Sequence, residues 1–74
     1  MAKRSLRIDG RLYYWSGGRS VTNIWTPDGK RYNFTSGDVN GMGADIFERG
    51  QYKRTSDGMV TPSDVKRYIQ ENRL

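Results

Sequence analysis

The sequence predicts an α+β fold, a small antiparallel sheet of three to five strands packed against a C-terminal helix. Three observations point to it. Segments 11–16, 19–25 and 30–35 are rich in aromatic and β-branched residues, and turn-forming residues separate them. The last stretch, TPSDVKRYIQENRL, carries a helix start signal and an apolar stripe. The chain has 74 residues, enough for one domain over 1–74 with a small core. Only 34% of residues are apolar, so the two Trp, five Tyr and two Phe must supply much of the buried area.

Taken in chain order, residues 1–4 read as a frayed basic end. Residues 5–9 add a short strand before Gly10 interrupts it. The first aromatic strand, 11–16, leads into Gly17-Gly18, a pair suited to the positive φ angles of a two-residue hairpin turn. The next strand ends at Thr26-Pro27-Asp28-Gly29. Here proline presets φ and glycine accepts the left-handed position, which makes a three-residue turn with a bulge. The third strand follows over 30–35.

In the glycine-rich stretch 36–50, glycines at 37, 41, 43 and 50 work against a long helix. One or two helical turns are expected over 44–49, with Ile46 and Phe47 inward. The rest of 36–50 reads as a mobile arm that orders on contact. A second hairpin is expected over 51–61 around Ser56-Asp57-Gly58. The final helix starts with Thr61 as N-cap, Pro62 in the first turn and Asp64 three residues after the cap. Val65, Tyr68 and Ile69 form its inward stripe.

The turns set the register, and the register sorts side chains between faces. A two-residue turn at Gly17-Gly18 pairs Tyr14 with Val21 and Tyr13 with Thr22. The bulged turn pairs Ile24 with Tyr32 and Thr22 with Phe34. One face then collects Tyr13, Trp15, Thr22, Ile24, Tyr32 and Phe34, a layer suited to lie under the helix. The other collects Leu12, Tyr14, Arg19, Val21, Asn23, Trp25, Arg31 and Asn33. That second face is neither a core nor an ordinary wetted surface. Its rings can stack, its guanidinium groups can pair with phosphate or carboxylate, and its amides can bond to base edges. Trp25 is therefore expected to be a contact residue. Two other fates stay open for it: cover by residues 44–60, or a cation–π pair with Arg31.

Composition narrows the chemistry. With neither Cys nor His there is no disulfide, no thiolate and no imidazole base or ligand. No Ser-x-x-Lys pattern occurs and the carboxylates are scattered singly. Asp38-Val39-Asn40 begins like a calcium loop but fails at Met42 and Arg49. The glycines match no nucleotide-binding fingerprint. An enzyme, a cofactor and a metal are not expected. Asn33-Phe34-Thr35 fits a glycosylation sequon, read as coincidence. No membrane segment or apolar leader is legible, and a cysteine-free chain suits the cytoplasm.

Thirteen basic against eight acidic residues give a net charge of +5, which favours an anionic partner. The expected function is a small basic nucleic-acid-binding or regulatory module, acting as a monomer. The alternative is a protein-binding regulator, like phage inhibitors that dock on an acidic surface of an enzyme such as RNA polymerase. In either reading the binding residues are Tyr14, Arg19, Asn23, Trp25, Lys30, Arg31, Asn33, Lys53 and Arg54, with Lys30-Arg31 and Lys53-Arg54 rimming the face. In element order alone, three strands and a helix resemble the DNA-binding domains of phage-type integrases and plant AP2 proteins. The chain carries no residue motif of either.

Overall fold

Strands form where aromatic and β-branched residues alternate with polar ones, and four such runs occur in the first half of the chain. The computed structural model describes residues 2–41, 46–49, 51–53 and 59–74. Strands β1 (Arg4–Ile8), β2 (Arg11–Gly17), β3 (Val21–Trp25) and β4 (Arg31–Thr35) make one antiparallel meander in the order β1-β2-β3-β4. A five-residue helix, α1 (Ser36–Asn40), follows directly. Two short strands, β5 (Ile46–Glu48) and β6 (Gln51–Lys53), pair with each other in a separate sheet. Helix α2 (Pro62–Asn72) closes the chain. The fold is the α+β sheet-and-helix arrangement that the sequence predicts.

The core lies on one side of the sheet. Ile8, Tyr13, Trp15 and Ile24 from the strands meet Val39 of α1, Val60, and Val65 and Ile69 of α2. Tyr68 closes the edge of the core against Phe34, ring edge to face, with centroids 4.8 Å apart. The Tyr13 hydroxyl donates to the Leu74 carbonyl at 2.8 Å, tying the end of α2 back to β2. The start of α2 follows its residue types. Asp64 donates its backbone N–H to the Thr61 hydroxyl, and the Asp64 carboxylate accepts from the Thr61 N–H at 2.9 Å, a reciprocal capping box.

The turn after β3 matches its sequence. Gly29 sits at φ +88°, its N–H donates to the Thr26 carbonyl at 2.9 Å, and Ile24 faces Tyr32 while Thr22 faces Phe34. The connection after β2 does not. Tyr14 pairs with Trp25 rather than Val21, and Gly17 pairs with Thr22, so the register is four positions from that of a two-residue turn. Neither Gly17 nor Gly18 adopts a positive φ. The loop has one long internal bond, from the Gly18 N–H to the Val21 carbonyl at 3.4 Å, and is otherwise held from outside. The Gly18 carbonyl accepts from the Ser36 hydroxyl at 2.8 Å and the Ser20 carbonyl accepts from the Ser36 N–H at 3.1 Å. Val60 adds a longer N–H bond to Gly18. Gly17 is needed for close approach: a Cβ there would stand 2.7 Å from the Thr22 hydroxyl and 3.0 Å from the Thr22 Cα.

Three further expectations change. Residues 36–40, placed in a mobile arm, form α1, because the Thr35 hydroxyl accepts from the Asp38 N–H and caps the turn. Residues 46–48, expected as a helical turn, are strand β5, paired through Ile46–Lys53, Phe47–Tyr52 and Glu48–Gln51. The second hairpin therefore pairs residues 46–48 with 51–53 rather than lying over 51–61, and residues 59–61 form no strand. The Ser56-Asp57-Gly58 turn and residues 42–45 and 50 lie outside the described residues. Residues 1–4 are not a frayed end where they are described, because Arg4 opens β1 opposite Trp15. Among the described residues no helix is long and apolar enough to cross a membrane.

Two substitutions test this packing by urea denaturation. Gly17→Ala is expected to destabilise the fold by about 1–3 kcal/mol through overpacking against the β3 backbone; a neutral effect would contradict the register. Thr61→Ala is expected to cost about 1 kcal/mol through loss of the cap.

Candidate nucleic-acid interface

The face of the sheet away from the core is built by strand alternation alone. Ser5, Tyr14, Trp25 and Arg31 are successive cross-strand partners, so they form one row across all four strands. Ser16, Asn23 and Asn33 form the next row. Adjacent strands stand about 4.8 Å apart, so each row is a fixed array of close neighbours. Tyr14 is 39% exposed, Val21 is 43% exposed, and Trp25 is half-buried. The four-position register difference is even, and so it leaves the strand side chains on their expected faces, while Arg19 falls in the loop. Trp25 lies outside the core.

The side chain over the Trp25 indole is Lys3, whose Nζ stands 4.3 Å from the ring centroid. A pair with Arg31 was one of the fates open to Trp25; Arg31 is exposed and beside Trp25 in the row. Lys3 reaches the ring because β1 continues its alternation: Lys3, Ser5 and Arg7 share the open face, while Arg4, Leu6 and Ile8 share the other. The neighbouring Arg4 places its guanidinium 5.0 Å from the ring centre of Trp15, on the core side. Two consecutive cations thus cover the two tryptophans from opposite faces. The proposed cover by residues 44–60 falls in part outside the described residues; Val60 itself is buried in the core.

In the second row the Asn33 side-chain amide donates to the Asn23 carbonyl oxygen at 2.8 Å. That bond fixes both side chains. It leaves the Asn33 oxygen and the Asn23 N–H groups to offer a ligand. Beside Tyr14 and Trp25 of the first row lies a groove of about 380 Å³, lined also by Lys3, Leu12, Thr26, Pro27 and Gly29.

Charge is distributed unevenly. Residues 1–35 hold seven basic and two acidic side chains, and residues 36–74 hold six of each, so the whole +5 belongs to the half that forms the sheet. The two acids, Asp9 and Asp28, sit in turns, and no strand position on the open face is acidic. The Asp28 carboxyl accepts from the Thr26 hydroxyl and lies near Lys30, which together hold it below the usual carboxylate range.

Of the nine residues expected to bind, Tyr14, Asn23, Trp25, Arg31 and Asn33 come together on this face. Arg19, in the β2–β3 loop, and Lys30, in the β3–β4 turn, are exposed at its ends. Lys53 belongs to β6 in the separate hairpin, and Arg54 lies outside the described residues. Sequence reasoning missed Lys3 and Arg7. The alternation of polar Ser5 and Arg7 with apolar Leu6 and Ile8 was the available signal. No family model matches the chain, and neither the curated proteins nor the solved structures contain a match.

Removing the cation tests this arrangement. Lys3→Ala is expected to raise acrylamide quenching of the indole fluorescence and to cost about 0.5–1 kcal/mol of stability. Unchanged quenching would mean that Lys3 does not cover Trp25.

Proposed function

We propose that this chain is a non-enzymatic module that binds nucleic acid through the open face of its four-stranded sheet. What supports the reading is one coincidence: the cations Lys3, Arg7 and Arg31 share the open face with the ring and amide rows, and none of the four strands carries an acidic residue on that face. Lys3, Arg7 and Arg31 contact phosphates on the face, with Arg19 and Lys30 at its ends. These contacts supply affinity without sequence choice. Tyr14 and Trp25 pack against bases or sugars, and Asn23 and Asn33 bond to base edges. The sheet presents these groups already ordered, which lowers the conformational cost of binding.

Phosphate-driven binding has a salt signature. Affinity for short oligonucleotides, followed by fluorescence anisotropy, should fall linearly in log–log form between about 50 and 200 mM salt, with a slope near 0.7–0.9 per phosphate engaged. Arg7→Gln and Arg31→Gln should each reduce the slope by somewhat less than one. Lys66→Gln, on α2 behind the sheet, should leave it unchanged. Salt-independent binding, or none, would overturn the reading and leave an acidic protein surface as the partner to pursue.

A further inference from the structure

Resting on the nucleic-acid reading above, we propose that the ligand is a single strand, and that one unpaired base seats in the groove on Trp25 by displacing the Lys3 ammonium. The groove decides between ligand forms. It holds about 380 Å³, at the small end of ligand clefts of roughly 300–1,000 Å³. Its lining includes Trp25, the cross-strand neighbour Tyr14, and the apolar Leu12 and Pro27.

A duplex has nothing that fills such a space. Its base faces are stacked inside, and it shows only groove edges and phosphates. An unpaired base presents its flat π-face, and aromatic platforms bind such faces with little regard to base identity.

Lys3 shows how the site is kept in the free protein. Its ammonium stands 4.3 Å from the indole centroid, where a stacked base would lie. The lysine stem is long and flexible, and the ammonium is a point charge without a fixed fork. When a base takes the ring, the ammonium swings to a phosphate of the same strand. A cation–π contact is exchanged for a stack and an ion pair. Arg31, on the other side of Trp25 in the row, is placed to meet the next phosphate.

The test uses unsubstituted protein labelled with 5-fluorotryptophan, so that Trp15 and Trp25 give separate fluorine resonances. Titration with oligo-deoxythymidylate should shift the Trp25 resonance and leave that of the buried Trp15 in place. A duplex of equal length should move neither. In parallel, Trp25→Ala should weaken single-strand binding roughly ten-fold or more, and weaken duplex binding by much less. Trp25→Phe should retain most of the affinity. If duplex and single strand bind equally and the Trp25 resonance stays still, the base-seating inference is overturned while nucleic-acid binding stands. If neither oligonucleotide binds, both fail. Should Trp25→Ala not fold, the fluorine titration on the unsubstituted protein still decides.

Discussion

Trp15 and Ile24 stand opposite each other on β2 and β3, 1% and 0% exposed, and this cross-strand pair fixes what the rest of the molecule does. A buried ring of this size contributes about 4–6 kcal/mol at roughly 25 cal/mol per Å². That is comparable to the whole net stability of a small domain. A slip of one residue would turn Trp15 to solvent. A slip of two would keep the faces but place Trp15 opposite a threonine. The core therefore holds β2 and β3 in one register, and α2 seals it with Val65 and Ile69.

The outer face inherits its geometry from that constraint. Because strand side chains alternate, locking Trp15 to Ile24 on the inside locks Tyr14 to Trp25 on the outside. The bulged turn at Gly29 then adds Arg31 to the same row, and β1 adds Ser5. No further energy is needed to build the ring row, since the core already secures it. The cations arrive by the same route. Lys3 and Arg4 are adjacent, so they take opposite faces and each covers one tryptophan. A surface made in this way is rigid where it carries rings. It is adaptable at its lysine and arginine tips, a division suited to a polyanion that must be met at several points.

How much could be read beforehand depended on whether the determinant was local. The turn at Pro27-Asp28-Gly29 and the cap at Thr61 were legible because proline, glycine and a hydroxyl three residues from an acid prescribe their own geometry. The β2–β3 loop was not. Gly17-Gly18 resembles a hairpin turn, yet Ser36, eighteen residues away, and Val60 hold its carbonyls. Such distant bonds have no local mark. The face assignment survived because the register difference is even. Lys3 and Arg7 were missed because β1 lacks the aromatic residues that announced the other strands. Lys53 was assigned to the rim from charge alone, and charge does not report that residues 51–53 pair with 46–48.

The account stands on the row Ser5–Tyr14–Trp25–Arg31, and a nuclear Overhauser spectrum of the free protein tests it most directly. Cross-strand contacts should link Tyr14 to Trp25 and Trp25 to Arg31, with the Lys3 side chain shifted by the indole ring current. Contacts between Tyr14 and Val21 instead, with Lys3 at its unperturbed position, would separate the rings from the cations and contradict the proposed binding surface.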